Sequence, residues 1–269
     1  VVEGDHLVWV SVFEEGHIVF LATRKVKCIR FPVSDGRVFS SRNSTGVRGV
    51  RLVDDDQVIA MSGLNHIKVE VAERDEYLRS VNAARRLIGG DYTDRAEDKA
   101  RDEAAAARLK EPLFQEMQQE EEFILTVTID GFGKRSSAYG YRISKRGGKG
   151  IDSMDIKRGK ELTQVISTIP VVNTDQLVMV SDGGQLIRMP VEGISFTGRS
   201  SRGVTLFKVA DEERVVSVTR FRDLDGEEDE ESGNQEKNTT KVVGPEIVNV
   251  ADDVEISKNL KDTSSTDEG

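Results

Sequence analysis

A short loop that combines three cations with three glycines carries the clearest chemistry in the sequence. It reads Lys145-Arg146-Gly147-Gly148-Lys149-Gly150. Glycine permits left-handed backbone conformations and the close approach of another backbone, while Lys and Arg can neutralise phosphates. The composition indicates a tight basic loop able to lie against a sugar-phosphate strand. A solvated glycine hairpin that happens to be basic is the alternative.

The loop is one copy of a pattern that occurs three times. In each copy a basic residue is followed four positions later by Gly and then by Val or Ile; the basic residues are Arg42, Arg146 and Arg199. A basic strand-like segment precedes each copy, with an arginine at a matching distance; these arginines are Arg30, Arg135 and Arg188. An apolar strand-like segment follows each copy. Repeats of this size predict a propeller or a solenoid.

A helical segment separates the first copy from the second. Gly46 lies 104 positions before Gly150, whereas Gly150 lies 53 positions before Gly203. The excess matches residues 73–122, which are rich in the helix formers Ala, Glu, Lys and Arg. The segment is therefore predicted to be a helical insertion, acting either as a solvated spacer or as a docking site for a partner.

These patterns predict the following organisation of the chain. Residues 1–12 form the closing strand of a preceding unit, 13–72 a complete unit, 73–122 the helical insertion, 123–172 the next unit, 173–222 the final unit and 223–269 an acidic tail. The tail is poor in aromatic residues and rich in acids, so we expect it to be disordered. Since the first residue is Val and the first strand lacks its unit, we expect a piece of a longer protein.

The charge of the chain is unevenly distributed. The net charge is −10, of which the tail carries −11 and residues 73–122 carry −5, leaving +6 on the repeat units. A basic body suggests a polyanion partner, and the acidic tail could compete for the same surface. No stretch is apolar enough to span a bilayer, and the single cysteine, Cys28, indicates a reducing compartment and a buried position. No nucleophile triad, acid–base pair or metal-binding cluster is apparent.

The repeat sequences resemble the C-terminal DNA-wrapping domain of the DNA gyrase A protein. The resemblance rests on residues 41–52, 131–135 and 198–204, and covers nearly all of residues 1–222. It implies an all-β fold, a propeller-like β-pinwheel of six blades that exchange strands, with about three blades present here beside the helical insertion and the tail. The hallmark box of that family, Gln-(Arg/Lys)-Arg-Gly-Gly-(Arg/Lys)-Gly, belongs to the first blade. Residues 144–150 are a degenerate copy, with Ser144 in place of Gln, in what looks like the fifth blade.

The resemblance also implies a function. Such a domain binds and wraps duplex DNA without sequence specificity, so that gyrase, a bacterial type IIA topoisomerase and hence an isomerase, can introduce negative supercoils. The fragment itself would be non-catalytic and without a cofactor, since the cleaving tyrosine lies in the preceding domain and ATP and Mg are used elsewhere in the holoenzyme. The implied partners are duplex DNA, the rest of a homodimeric gyrase A protein, and the gyrase B protein in an A2B2 tetramer. The implied location is the cytoplasm, at the nucleoid and away from membranes.

The basic positions of the repeated strands and loops are the candidate DNA-binding residues. They are Lys27, Arg30, Arg42, Arg48, Arg51, Lys134, Arg135, Lys145, Arg146, Lys149, Arg188, Arg199 and Arg202. Two other interpretations remain open at this point: the equivalent domain of topoisomerase IV, and a β-propeller that binds proteins. Salt-dependent binding of duplex DNA would separate the DNA-binding interpretations from the last.

Overall fold

The fold is described from a computed structural model, which places residues 6–40, 45–53, 55–89, 96–159 and 161–222. The acidic tail predicted for residues 223–269 and the candidate Arg42 lie outside these described residues. The described part is mostly antiparallel β-sheet with one group of helices, and this confirms the fold class predicted from the sequence.

The elements are numbered in chain order. The strands are β1 (Ile18–Thr23), β2 (Lys27–Pro32), β3 (Val58–Leu64), β4 (Phe123–Thr128), β5 (Phe132–Ser137), β6 (Ile151–Asp152), β7 (Lys157–Arg158), β8 (Glu161–Leu162), β9 (Val165–Val171), β10 (Asp175–Ser181), β11 (Leu186–Pro190), β12 (Val204–Thr205) and β13 (Val215–Arg222). The α-helices are α1 (Val71–Gly89), α2 (Ala96–Ala107) and α3 (Pro112–Gln119).

Three of the sheets share one plan, and each defines a unit. The central strand of each unit pairs antiparallel with the next strand in sequence and with the last strand of the unit. The first unit is β1, β2 and β3; the second is β4, β5 and β9; the third is β10, β11 and β13. The central strands are rich in Val, Ile, Leu and Phe, which suit a sheet buried on one or both faces.

Neighbouring units exchange a short strand. β6 lies in the second unit by sequence but pairs with β2 of the first, with Ile151 opposite Cys28. β12 lies in the third unit by sequence and pairs with β5 of the second, with Val204 opposite Gly133. We call each such junction a seam: the first seam joins units one and two, and the second seam joins units two and three. Strand exchange of this kind is the feature that defines a pinwheel.

Apolar residues of neighbouring units pack across the seams. At the first seam Phe20 of β1 meets Tyr141 edge-on, with ring centroids 5.4 Å apart. At the second seam one core cluster combines Leu125 and Val127 of β4 with Leu177 and Met179 of β10. Because the units share these cores, each one stabilises the next.

The helices form a compact subdomain beside the second unit. α1 ends at Gly89, and α3 begins at Pro112, where proline is tolerated because the first helical residues donate no hydrogen bond within the helix. Tyr77 of α1 is fully buried and meets Phe114 and Tyr139 edge-on, each at 5.6 Å between ring centroids. Among the described residues, no helix has the length and apolar character needed to cross a membrane.

Within residues 6–12, the described part of the strand predicted at the start of the chain, no strand is formed. Residues 6–12 have no strand assignment, and the side chains of Leu7, Val8 and Val10 are exposed. A strand needs a neighbour to satisfy its backbone groups. No described strand lies beside this segment, so its alternating sequence pattern alone does not produce one.

Gly150→Ala should destabilise the fold, because Gly150 has φ +72° and a Cβ there would overlap the carbonyl oxygen of Cys28. We expect a loss of about 1–3 kcal/mol in the free energy of unfolding, measured by urea denaturation. Gly198→Ala is the control, since a Cβ at Gly198 meets nothing within 4 Å. Equal stability of the two variants would contradict the close approach at the seam.

Candidate nucleic-acid interface

The basic loops of the second and third units pack against the preceding unit in the same way. We call residues 144–150 the second-unit loop and residues 197–203 the third-unit loop. At the first seam the amide of Arg51 donates to the carbonyl oxygen of Gly148 at 2.9 Å. At the second seam the amide of Asp155, the repeat equivalent of Arg51, donates to the carbonyl oxygen of Ser201 at 3.1 Å.

An arginine fastens each loop at an equivalent point. Arg146 Nη1 donates to the carbonyl oxygen of Arg48 at 2.6 Å, and Arg146 Nε donates to that of Asp35 at 3.0 Å. Arg199 Nη1 donates in the same manner to the carbonyl oxygen of Asp152. Since the same contacts recur, the two loops stand in register along one edge of the molecule. Arg146 and Arg199 are half-buried. We call them latches, because their guanidinium groups hold the two loops against the preceding unit.

The first seam presents a cluster of exposed cations. Arg48 and Arg51 come from the first unit, and Lys145 and Lys149 come from the second-unit loop that lies against them. Among the described residues no acidic side chain forms an ion pair with any of these four. This part of the edge therefore carries net positive charge, although the Asp35 carboxylate accepts from the amide of Arg146 at 3.3 Å, and net positive charge is the condition for attracting a polyanion.

The second seam is less basic than the first. Asp152 and Asp155 occupy the repeat positions of Arg48 and Arg51. Asp155 Oδ2 lies 4.0 Å from Nε of Arg202 at this seam, whereas the Asp152 carboxylate lies at the first seam, where its Oδ1 is 2.5 Å from Nζ of Lys27. These carboxylates reduce the positive charge that Arg202 and Lys27 present, although all four side chains are partly exposed and screened by solvent.

Three of the candidate DNA-binding residues lie inside the seams. Arg30, Lys134 and Arg135 are 3 %, 0 % and 9 % exposed. Arg30 Nη1 donates to the carbonyl oxygen of Ala138 at 2.8 Å, and Arg135 Nε donates to that of Ile194 at 2.8 Å. Both acceptors belong to, or directly follow, the short 3-10 turn of the next unit. We leave these three residues out of the interface, because their head groups face protein rather than solvent.

Arg188 holds the equivalent position in the third unit but is exposed. It faces Val178 in the sheet just as Arg30 faces Phe20 and Arg135 faces Leu125. The structure describes no further unit beside β11. Within the described chain Arg188 therefore lacks the 3-10 turn of a following unit, whose carbonyl oxygens would accept its hydrogen bonds. Its exposure follows from its place at the end of the described repeat.

Burial changes the chemistry of two side chains near the seams. Lys134 Nζ donates to Ser136 Oγ at 3.0 Å and to the carbonyl oxygens of Gly198, at 2.9 Å, and Arg199. Burial, reinforced by the nearby charge of Arg199, lowers the pKa of Lys134 to about 7. Burial likewise raises the pKa of the Cys28 thiol to about 12, so it is not a nucleophile at neutral pH.

Two features of the site were not found from the sequence. The latch role of Arg146 and Arg199 and the burial of Arg30 and Arg135 depend on acceptors from another unit. The recurrence of arginine at the same strand position could have indicated that these side chains are buried, since a solvent-exposed cation is not required at one fixed position of a repeat. The replacement of Arg48 and Arg51 by Asp152 and Asp155 in the next repeat could have been found by aligning residues 47–51 with 151–155. Within the described residues no group of His, Cys, Asp and Glu could hold a metal ion.

Strand-exchanged units with basic loops in register define a propeller-like β-pinwheel module with a cationic edge. A family model described as "DNA gyrase C-terminal domain, beta-propeller" matches residues 17–65, 122–168 and 175–222, which together exceed half of the chain. The chain belongs to the DNA gyrase C-terminal domain family. The gap between the first two matched ranges contains the helical insertion.

Curated relatives and solved structures agree with this family. The chain is 44 % identical over 236 residues to the DNA gyrase A protein of Rickettsia bellii, and 42 % identical over 241 residues to that of Granulibacter bethesdensis. These alignments cover 87 % and 86 % of the chain but 25 % of each relative, so the chain spans about a quarter of their length.

Among solved structures, a DNA gyrase A C-terminal domain aligns with a TM-score of 0.51 at 20 % identity, covering 78 % of this chain and 52 % of that one. The C-terminal domain of DNA topoisomerase IV aligns with a TM-score of 0.52 at 15 % identity, covering 77 % and 47 %. At these identities the structural likeness shows the fold alone.

The stability of the protein should rise with pH above neutrality, because Lys134 gives up its proton near pH 7 when folded but near pH 10.5 when unfolded. Between these values the unfolded chain binds more protons, so each pH unit adds up to about 1.4 kcal/mol to the free energy of unfolding.

Urea denaturation at pH 7 and pH 9 measures this slope. The Lys134→Met variant should lose the contribution and show a flatter dependence. The same slope in both proteins would mean that Lys134 keeps its ordinary pKa in the fold.

Proposed function

We propose that this chain binds and bends duplex DNA without sequence preference, as the C-terminal DNA-wrapping part of a DNA gyrase A protein. The observation that carries the proposal is the register of the two basic loops. The latches Arg146 and Arg199 hold them at equivalent points of successive seams. Exposed cations are thereby spaced along one edge, as a bent phosphate backbone requires.

The proposed contact set consists of exposed cations of the loops and of the segments that they pack against. It comprises Arg48, Arg51, Lys145, Lys149 and Arg202, with Arg188 at the exposed edge of β11. Arg42, which lies outside the described residues, remains a prediction of the repeat. Lys27 contributes little, since its ammonium group pairs with Asp152.

The physics of phosphate binding supports this assignment. Each Lys or Arg that neutralises a phosphate releases a condensed counterion, and contacts of this kind fix position without reading sequence. Bending a duplex over a small protein costs about 1–6 kcal/mol, which several phosphate contacts can offset. In this proposal the cations of successive units favour bent DNA over straight DNA, because a bent duplex makes more of the phosphate contacts that offset the cost of bending.

In this proposal the chemistry of the enzyme lies outside the chain. The holoenzyme would be an A2B2 tetramer in the bacterial cytoplasm, at the nucleoid, where the gyrase B protein hydrolyses ATP and the rest of the gyrase A protein cleaves DNA. This module would present a wrapped DNA segment and so direct the reaction towards negative supercoiling. The relatives at 42–44 % identity are named as the A component of DNA gyrase, which favours gyrase over topoisomerase IV.

Replacing Lys145 and Lys149 together with alanine should weaken binding to a short duplex. If both contact phosphates, the slope of log K against log salt should fall by up to about 1.8. Fluorescence anisotropy at several salt concentrations measures both quantities.

The control is Arg79→Ala with Lys99→Ala, which removes the same charge from exposed positions of α1 and α2. An unchanged slope in the loop variant would contradict the proposal and favour a protein-binding propeller. An equal loss in both variants would mean that net charge, rather than the edge, drives binding.

Asp155→Asn should strengthen DNA binding, because it removes the carboxylate charge 4.0 Å from Nε of Arg202. The amide oxygen can still accept the hydrogen bond from the amide of Lys157, so the local fold should persist. We expect about a two- to fivefold gain at low salt that shrinks as salt increases, since exposed charges are screened. The same anisotropy titration measures it, and a loss of affinity would place the DNA away from the second seam.

A further inference from the structure

We propose that the helical insertion positions the third-unit loop for DNA, with Arg85 as the positioning residue and Phe196 as its contact. The inference rests on the proposed DNA binding by the loops and deepens it. It assigns the insertion a role in the geometry of the cationic edge, although its own charge of −5 makes it a poor partner for DNA.

The insertion is anchored firmly to the second unit. Its core residues Tyr77 and Met117 are fully buried, and Tyr139 Oη of the second unit donates to the carbonyl oxygen of Met117 at 3.1 Å. Within the insertion itself, Tyr77 Oη donates to Glu121 Oε2 at 2.9 Å. The insertion therefore provides a rigid platform for any side chain that it extends towards a neighbouring unit.

Arg85, near the end of α1, extends from this platform to the third unit. Its guanidinium carbon lies 3.3 Å from the centroid of the Phe196 ring, and its Nη2 lies 3.9 Å from Glu121 Oε2. The other side of the contact is packed as well, because Phe123 of β4 meets Phe196 edge-on at 5.3 Å. Phe196 is thus held between the helical insertion and the second unit.

The position of Phe196 determines where the third-unit loop begins. Its backbone forms a parallel bridge with Arg135, and the amide of the next residue, Thr197, donates to the carbonyl oxygen of Arg135 at 2.8 Å. Thr197 and Ser201 then close the loop through their hydroxyl groups at 2.5 Å. Arg202 follows directly, so a displaced Phe196 would displace this cation.

The first seam provides an internal comparison. Ile143 occupies the equivalent position there, since it forms the parallel bridge with Arg30 that Phe196 forms with Arg135. Ile143 is 40 % exposed and carries no ring for a cation to cover. The contact with the insertion thus distinguishes the second seam, where Asp155 partly offsets the positive charge of Arg202. A fixed loop geometry would matter most where the net attraction is weakest.

The decisive variant is Phe196→Leu, tested in the complete polypeptide by anisotropy titration of a short duplex over a range of salt. It removes the ring while leaving Arg85, so a direct contact of Arg85 with DNA would survive. We expect about three- to tenfold weaker binding, a range that corresponds to the energy of a partly exposed cation–π contact. The salt slope should fall by about 0.9, the share of one phosphate contact, because Arg202 is displaced.

Conservative changes separate positioning from general destabilisation. Phe196→Tyr and Arg85→Lys retain the ring and the cation and should restore most of the affinity, while Arg85→Gln should match Phe196→Leu. Arg79→Gln removes the same charge from an exposed position of α1 and should bind like the unaltered protein. Circular dichroism shows whether the helices persist in Arg85→Gln. If the helical signal falls in that variant, the test of the positioning role rests on Phe196→Leu, which leaves the helices unaltered.

A double variant tests whether Phe196 acts through Arg202. Adding Arg202→Gln to Phe196→Leu should lower the DNA affinity by less than Arg202→Gln alone does, since the effects of coupled residues are not additive.

The outcomes distinguish this inference from the function on which it rests. Unchanged affinity and slope in Phe196→Leu, with weakened binding in the Lys145 and Lys149 variant, would overturn the positioning role and leave DNA binding intact. Unchanged binding in both would overturn DNA binding itself. Equal losses in Arg79→Gln and Arg85→Gln would also overturn the positioning role, because the effect would then be one of charge alone.

Discussion

The architecture depends on the close approach of a glycine to the backbone of the preceding unit. Gly150 and Gly203 adopt left-handed conformations, with φ of +72° and +78°, and lie against the carbonyl oxygens of Cys28 and Gly133. Only glycine fits there without strain. The approach lets a two-residue strand join the neighbouring sheet, and the loop immediately before it is brought against the neighbouring unit. The position of both described basic loops follows from this one contact.

Cations serve two separate purposes in this arrangement. Arg30, Arg135 and Lys134 are buried in the seams, where their donors bind backbone carbonyls of the next unit. Hydrogen bonds from charged donors contribute about 1.5–3 kcal/mol each, so the two arginines hold neighbouring units together, whereas Lys134 is buried there with a lowered pKa. Arg48, Lys145 and Lys149 face solvent and remain available to an anion. The buried cations fix the geometry of the edge, and the exposed cations give it the positive charge on which the proposed function rests.

The sequence predicted the repeat well, because glycine, cation and strand recur at fixed spacing. It also predicted the insertion, through its helix-forming composition, and the burial of Cys28. It did not distinguish buried from exposed cations. The polar face of an alternating strand is exposed to solvent only when no other segment covers it. The segment that covers Arg30 lies 108 positions away, at Ala138. The contact of Arg85 with Phe196 was equally hidden, since no local pattern relates a helix end to a loop of a later unit.

The central proposal is that duplex DNA follows the aligned loops and is wrapped by them. The most direct measurement is the linking number of a nicked circular plasmid that is ligated while the complete polypeptide is bound. If DNA wraps along the edge, the topoisomer distribution should shift in proportion to bound protein, and the shift should shrink when Lys145 and Lys149 are replaced with alanine. A distribution that stays unshifted at saturating protein would contradict the account, because DNA bound without bending out of plane leaves the linking number unchanged.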